Sequence, residues 1–372
     1  MTSPAPTRTG ALAWRLARHG LLEPPDADAV AVARRVLAVR AWPGGVADLA
    51  VRMRSAASPD VAGAVADGDL VAVYAFGGGA YVAAHDVAAA FLAARQATGV
   101  WRSVRFQRQG GFAIDDWEPL REAVRDLLAA GPATRAELGA HLAGIPALAH
   151  LATAASTAAG ADTLIKPLHW WGDVCFGPPR DGQSTFRLLA GDPRWPGPLD
   201  VDDAGRTLVR LVLGSYAPST TANLEHWIRE GLSVPARRLA GWVDDLGDEV
   251  VRVDGTLCLT TDADAIASAT PSTAVHLLPG YDPWVMVPGT ADASLVAEHR
   301  RPLATRGANL VLHGGVVAGT WRRTDRALAV TWFDEAGDVP DLDEAVARLG
   351  AVVGRELAVT LERDGRAVRP SG

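Results

Sequence analysis

A sequence pattern of two helices joined by a turn occurs twice in the chain and constrains its fold more than any other feature. In each copy a long amphipathic segment leads through a turn of small residues, proline and a hydroxyl residue into a shorter helical segment. The first copy predicts helices at 117–130 and 135–142, and the second predicts helices at 204–213 and 222–229. Because the turn in such a pair sets the angle between its helices, the pattern is typical of helix-turn-helix modules.

Turn residues predict β-hairpins beside these helices. Strands at 173–176 and 185–189 flank a Pro-Pro-Arg-Asp-Gly-Gln stretch, which predicts a wing with Arg180 at its tip. The pairs Asp254-Gly255 and Gly314-Gly315 are strong two-residue hairpin turns and predict two further hairpins in the C-terminal third.

The N-terminal part repeats the combination of helices and a hairpin. Helices are predicted at 11–20 and 27–40, with Asp26 as the cap of the second. A strand at 70–76, a turn of three glycines and a returning strand at 80–83 follow. Short helices followed by a hairpin are the pattern of a winged helix.

We therefore predict an α+β fold of tandem winged-helix (helix-turn-helix) domains with a C-terminal β-rich element. The expected boundaries are a first winged-helix unit with a basic connector at 1–114, a second unit at 115–200 with its wing at 173–189, a third unit at 201–270, and a C-terminal β-rich domain at 271–372.

Composition removes several classes of protein from consideration. No apolar run approaches the roughly 20 residues that span a bilayer, and the polar N-terminus predicts a cytoplasmic protein without a membrane partner. The two cysteines, Cys175 and Cys258, are too few for a disulfide framework or a Cys-x-x-Cys metal site. The phosphate-loop, zinc-protease and serine-hydrolase motifs are missing as well, so we expect neither a metal nor a cofactor.

Charge is distributed unevenly along the chain. The formal net charge of −7 argues against a non-specific binder of polyanions. However, no acidic residue occurs between Asp86 and Asp115, where arginine and glutamine alternate with aromatic residues. This mixture suits contact with phosphates combined with stacking or groove contact; the alternative is a surface loop whose Trp101 and Phe106 pack inward. Lys166 is the only lysine among 36 basic residues, which is typical of a high-GC genome.

Several stretches together resemble a known family. They are Leu164 to Leu168, Gly172 to Arg180, the Gly-Pro-Ala-Thr turn at 131–134, His276 to Asp282, and Gly314 to Trp321. With these stretches the chain resembles, from about residue 11 to about residue 350, the winged-helix DNA-binding family that contains the AlkZ and YcaQ DNA glycosylases. The resemblance implies three winged-helix units curved around duplex DNA, and members that excise alkylated bases, including interstrand crosslinks, without a metal.

The chain departs from that family at the positions that carry the chemistry. The glycosylases place a glutamine, a hydrophobic residue and a second glutamine after the second helix, where they activate a water molecule; here the sequence is Arg40-Ala41-Trp42. Arginine has no acceptor and stays protonated, so it cannot act as a general base. The hairpin segment of Arg-Gly-Thr-x-His type is replaced by residues 77–81, Gly-Gly-Gly-Ala-Tyr. The resemblance therefore predicts the scaffold without the usual hydrolytic site.

Three functions remain open on this evidence. The first is a monomeric protein that binds duplex DNA in a repair or regulatory role without the family's glycosylase site. Its expected contacts are Arg40, Arg102, Arg105, Gln107, Arg108 and Arg180.

The second function is an active, metal-independent DNA glycosylase with a rearranged site. Asp48 is the nearest carboxylate that could replace the missing base, although an aspartate on a helix surface explains it more simply. The third is a scaffold that binds a small molecule or a protein and no longer uses DNA. Its apolar pocket would be lined by Trp42, Tyr74, Phe76 and Tyr81.

Overall fold

A computed structural model describes residues 7–158, 162–364 and 366–367. The α-helices are α1 Arg8–Arg18, α2 Ala29–Val36, α3 Val46–Arg52, α4 Val61–Ala66, α5 His85–Ala97, α6 Val104–Gly110, α7 Trp117–Ala129, α8 Arg135–Ala143, α9 Ala152–Thr157, α10 Lys166–Trp170, α11 Val201–Tyr216, α12 Thr221–Leu224, α13 Ala236–Asp245, α14 Ala263–Ala267, α15 Pro283–Met286, α16 Arg301–Thr305 and α17 Asp343–Val353. The strands are β1 Val39–Arg40, β2 Val71–Tyr74, β3 Ala80–Ala83, β4 Ala133–Thr134, β5 Val174–Arg180, β6 Gln183–Leu188, β7 Val250–Val253, β8 Thr256–Leu259, β9 Val275–Leu278, β10 Asn309–His313, β11 Val316–Arg323, β12 Ala327–Trp332, β13 Ala358–Arg363 and β14 Arg366–Ala367. The predicted mixture of helices and strands is confirmed.

The first helix–turn–helix copy forms as α7 and α8. The hydroxyl of Thr134 accepts a hydrogen bond from the backbone N–H of Glu137 at 3.3 Å. In return, the carboxylate of Glu137 accepts one from the backbone N–H of Thr134 at 2.7 Å. This reciprocal capping box satisfies two N–H groups that a helix start otherwise leaves unpaired.

The second copy forms as α11 and α12. Thr220 and Asn223 cap α12 in the same reciprocal way. The short helix continues into a π-helical turn, Glu225–Glu230, so the helical backbone extends through the predicted span with a wider turn.

The second N-terminal helix differs from its prediction at both ends. It begins at Ala29 and is capped by Asp28, whose carboxylate accepts from the N–H of Ala31 at 2.7 Å. Asp26, the expected cap, lies two residues too early. The helix ends at Val36 because Leu37 has a φ of 72°, which leaves the helical region and lets the chain enter β1.

The chain folds into two compact units, each built from segments that are distant in the sequence. Unit 1 contains Met1–Val61, Arg210–Trp227 and Leu246–Gly372, and unit 2 contains Ala62–Val209 and Ile228–Asp245. The four successive domains expected from the sequence stay a prediction.

Unit 1 is organised around a sheet with the strand order β14-β13-β12-β11-β10-β9. The neighbours pair antiparallel, except that β12 and β13 run parallel. Helix α17 packs on the sheet and buries Leu349 and Val352 against Trp321 and Trp332. A second cluster joins Leu12 and Leu16 of α1 to residues of the C-terminal sheet, so the two ends of the chain share one core.

Unit 2 contains strands hydrogen-bonded in the order β3-β2-β5-β6-β4, all antiparallel. The predicted wing is the β5–β6 hairpin, which turns through Asp181 and Gly182, both at positive φ. Helices α5 to α10 surround the sheet. Among the described residues, no helix has the length and apolar character needed to cross a membrane.

Candidate nucleic-acid interface

The basic segment between Asp86 and Asp115 is held by a core of aromatic rings. Trp101 is buried and contacts the rings of Trp117 and Trp171, with centroids 5.6 and 4.7 Å apart. Phe106 is half-buried and lies 5.6 Å from Trp170. The aromatic residues of the segment therefore pack inward, as the alternative interpretation of the sequence supposed.

Three of the four arginines of the same segment lie at the surface, whereas Arg95 is buried and donates to the carbonyl of Leu232 at 2.9 Å. Arg102, Arg105 and Arg108 are exposed, and within the described residues none of the three makes an ion pair. By contrast, Arg121 and Arg125 of α7 both bind Asp173. Guanidinium groups without an internal carboxylate keep their full capacity to bind an external anion.

Helix α6 sets the spacing of these side chains. The hydroxyl of Ser103 caps it by accepting from the N–H of Phe106 at 3.3 Å. Arg105 and Arg108 are three positions apart and therefore lie on the same face of the helix. Gln107 is instead engaged locally, because its Nε2 donates to the carbonyl of Arg102 at 2.8 Å. The guanidinium of Arg102 itself lies over the ring of Trp101 at 4.9 Å.

The other two predicted phosphate contacts already have internal partners. Arg180 ends β5 at the wing, where its guanidinium pairs with the carboxylate of Glu137. Arg40 in β1 lies over the ring of Tyr281 at 5.5 Å. Both arginines would have to leave or share these partners before they could bind a phosphate.

The residues of the predicted apolar pocket have different environments. Trp42 belongs to unit 1 and is 43% exposed. Phe76 and Tyr81 belong to unit 2, are buried, and contact each other with ring centroids 5.4 Å apart. Tyr74 is engaged elsewhere in unit 2, as described below. Phe76 and Tyr81 thus contribute to the packing of unit 2.

Asp48 lies in the first turn of α3, where its carboxylate pairs with Arg52 one turn later at 3.5 Å. It is partly exposed, at 38% of the side chain. An exposed pair of this type contributes little to stability. The carboxylate has the environment of an ordinary helix surface.

A polar cluster that the sequence did not indicate lies between β2, α8 and α10. The hydroxyl of Tyr74 donates to the carboxylate of Asp162, and Arg135 binds the same carboxylate with two nitrogens. Asp162 is buried, so the bidentate guanidinium compensates the loss of its hydration. Burial and the bond to Asp162 raise the pKa of Tyr74, which stays protonated.

Lys166 stands at the edge of this cluster, at the first residue of α10. Its Nζ lies 5.2 Å from the centre of the ring of Tyr74, the last residue of β2, and close to Gly78 on the turn that joins β2 to β3. Burial lowers the pKa of Lys166, and Arg95 adds to this effect, whereas Asp162 opposes it. Among the described residues its ammonium group has no hydrogen-bond partner.

His169 lies one helical turn after Lys166 and is fully buried among Tyr74, Phe176 and Phe186. Neither ring nitrogen has a hydrogen-bond partner in the described part of the chain. Burial lowers its pKa to about 3, so the imidazole is neutral near pH 7. It is too enclosed to exchange protons with a substrate at the surface.

The single lysine in the composition is the one sequence feature that could have pointed to this cluster. Lys166 is the single lysine of the chain, but the partners that define its surroundings come from separate segments. Tyr74 and Asp162 are 88 residues apart, and no local spacing connects them. Among the described residues, no group of three or more histidine, cysteine or acidic side chains is arranged to hold a metal ion.

Comparison with known proteins gives matches along almost the whole chain. The model of the family described as DNA glycosylase AlkZ-like matches residues 33–352. An interstrand DNA cross-link repair glycosylase of Streptomyces sahachiroi is 30% identical over 361 residues, which cover 94% of this chain and 96% of that protein. The solved structure of the S. sahachiroi DNA glycosylase AlkZ superposes with a TM-score of 0.89 at 28% identity, over 96% of this chain and 100% of that one.

Proposed function

This chain belongs to the AlkZ-like DNA glycosylase family, and on that premise we propose that it binds duplex DNA in a repair or regulatory role without the family's usual glycosylase site. The observation that carries the proposal is the set of exposed arginines on the acid-free segment, which make no ion pair within the described residues. They are Arg102, Arg105 and Arg108. The S. sahachiroi relative, a DNA cross-link repair glycosylase by its description, supports DNA as the partner.

The absence of a usual base supports the second half of the proposal. Arg40-Ala41-Trp42 occupies the place where the glycosylases carry two glutamines, and neither arginine nor tryptophan can accept a proton from water. Asp48, the nearest carboxylate considered as a substitute, is paired with Arg52. Members of the family recognise DNA with a scaffold that this chain retains, so binding can persist where hydrolysis does not.

The proposal is tested by fluorescence anisotropy of a labelled duplex, plain and with a central abasic-site analogue, across a salt series. Each phosphate contact contributes a slope of about −0.9 to log K against log salt for duplex DNA. Replacing the three exposed arginines with glutamine is expected to make this slope shallower by up to about three units.

A matched control separates position from total charge. Arg322, Arg323 and Arg326 are also exposed, and replacing them with glutamine likewise lowers the formal net charge from −7 to −10, since three positive charges are lost. We expect the control to bind almost as the unmodified protein does. Equal weakening by both triple variants, or no binding at low salt, would refute the proposed interface.

A base-release assay on alkylated duplex distinguishes the alternative of an active glycosylase. We expect the protein to bind the alkylated duplex without releasing its bases. Release of an alkylated base above the rate without protein would show that a rearranged site is active.

A further inference from the structure

We propose that Lys166 is a nucleophile that forms an imine with the aldehyde of an abasic site in DNA. The inference rests on the proposed function, because it needs the DNA to be bound. It adds a covalent chemistry that neither binding nor water-mediated base excision requires. The surroundings of the amine in unit 2 favour this chemistry.

The first observation is that the amine has neither an ion pair nor a hydrogen bond within the described residues, and that it lies over the Tyr74 ring at 5.2 Å. Asp162 is the acidic residue that acts on it, and both oxygens of that carboxylate are already taken. Arg135 donates to Oδ1 at 2.6 Å, and Arg135 together with the hydroxyl of Tyr74 donates to Oδ2. Lys166 is therefore left without an ion pair among the described residues, although it is half-buried.

The second observation is that three consecutive glycines, residues 77–79, form the part of the turn beside the amine. A Cβ at Gly78, where φ is +73°, would lie only 3.0 Å from Nζ of Lys166. The preceding Gly77 is exposed, and a Cβ there would meet nothing within 4 Å. The amine thus lies against the backbone of Gly78, and the exposed Gly77 leaves the surface of the turn beside it open to a ligand. This turn is also the segment where the related glycosylases carry polar residues.

The third observation is the identity of the side chain. The other basic residues are all arginines, and an arginine cannot form an imine because its guanidinium stays protonated. Lysine is the residue that loses its proton readily when it is desolvated or placed near another cation. Burial and Arg95 both lower the pKa of Lys166, which increases the fraction of free amine.

The reaction balances without a co-reactant. The ammonium first gives one proton to solvent. The neutral Nζ adds to C1′ of the open-chain abasic sugar, and its two protons are transferred through solvent to the former carbonyl oxygen. The C–O bond then breaks and releases water as the C=N bond forms. The aldehyde is neither oxidised nor reduced. Borohydride then delivers a hydride to the imine carbon, and a proton from water gives a stable secondary amine.

The chain offers an unusually clean test because it has one lysine. The full-length protein is incubated with a labelled duplex that contains a natural aldehydic abasic site, treated with cyanoborohydride, and separated under denaturing conditions. The expected result is a covalent protein–DNA band that falls at least tenfold in Lys166→Arg. This variant keeps the positive charge and the α-amine of the chain, so a lysine that only binds phosphate would leave the band unchanged.

Two further measurements make each outcome decisive. The variant Lys166→Gln is the control for the case in which the longer arginine disturbs the Gly78 turn. A duplex with a tetrahydrofuran analogue of the abasic site, which has no aldehyde, must give no covalent band. Anisotropy with the same duplexes reports binding separately. Binding without a lysine-dependent band overturns the imine proposal alone. The absence of binding overturns the proposed function, and the imine proposal with it.

Discussion

The buried ion pair between Arg54 and Asp282 gives the sharpest energetic prediction for this fold. Both side chains are 0% exposed in unit 1, and two guanidinium nitrogens bind the two carboxylate oxygens at 2.9 and 2.6 Å. The same guanidinium donates to the carbonyl of Ala50 at 2.8 Å, and the carboxylate also accepts from the N–H of Trp284 at 2.8 Å. Asp282 therefore joins the first helices to the start of α15.

The perturbation is Asp282→Asn, which removes the negative charge and keeps one oxygen for the cap on Trp284. The charge of Arg54 then stays in the core, because a guanidinium is not deprotonated in a protein. Breaking one partner of a buried pair costs about 3–5 kcal/mol. We expect the free energy of unfolding to fall by that amount.

The control is an exposed pair in the same unit that is also bidentate. Arg210 binds Glu249 with Nε at 2.7 Å and a second nitrogen at 2.8 Å, but the two side chains are 41% and 53% exposed. Exposed pairs contribute about 0–1 kcal/mol, so Glu249→Gln is expected to cost no more than that. The comparison sets a buried bidentate pair against an exposed bidentate pair.

The assay is urea unfolding followed by tryptophan fluorescence, with the double variant Arg54→Met/Asp282→Leu as a third measurement. Replacing both charges with apolar residues is expected to cost less than Asp282→Asn alone, because no uncompensated charge remains. If Asp282→Asn and Glu249→Gln lower the free energy of unfolding equally, the argument from burial is refuted.

Three further predictions concern pH, an unneeded carboxylate and an exposed ring. Burial lowers the pKa of His169 to about 3 and that of His276 to about 4, while the unfolded histidines titrate near 6.5. The unfolded chain therefore binds protons first as the pH falls, and stability drops from about pH 6.5 down to about pH 4 through His276 and down to about pH 3 through His169. His276→Gln should remove its share, about 1.4 kcal/mol per pH unit, and an unchanged pH slope in urea unfolding would contradict this. Asp48→Asn should change duplex affinity and unfolding free energy by less than about 0.5 kcal/mol, because its pair with Arg52 is exposed; a large loss of DNA binding would instead point to a role at the site. Trp42→Ala, at a ring that is 43% exposed, should weaken binding to an abasic duplex by about 1 kcal/mol or more if the ring stacks on a base, and an equal affinity with the fold intact would exclude that contact.

Local chemistry explains which parts of the fold could be predicted from the sequence. The predicted hairpin at Asp254-Gly255 forms between β7 and β8, because the turn type depends on two adjacent residues. The capping box of Thr134 and Glu137 is local in the same sense. Where two nearby aspartates could both cap the helix, the sequence did not distinguish between them, and the predicted cap was wrong: Asp28 caps α2 instead of Asp26.

The site was less predictable because its members meet only in three dimensions. The segment with Arg102 was visible as a run without acids, and its exposure follows from the inward packing of Trp101. The ion pair between Arg180 and Glu137 could not be predicted from the sequence, since the two residues are 43 positions apart. Tyr74 was assigned to an apolar pocket from its residue type, whereas its hydroxyl belongs to a polar cluster that sequence spacing does not encode.

The pair of Arg54 and Asp282 also has a consequence for the protein while it is being synthesised. The two residues are 228 positions apart, so at about 5–20 residues per second the ribosome adds Asp282 roughly 11–46 s after Arg54. During that interval the first helices contain a cation whose permanent partner does not yet exist, and they cannot bury it at low cost. The nascent N-terminal segment must therefore stay hydrated, and unit 1 completes its core only after most of the chain has left the ribosome.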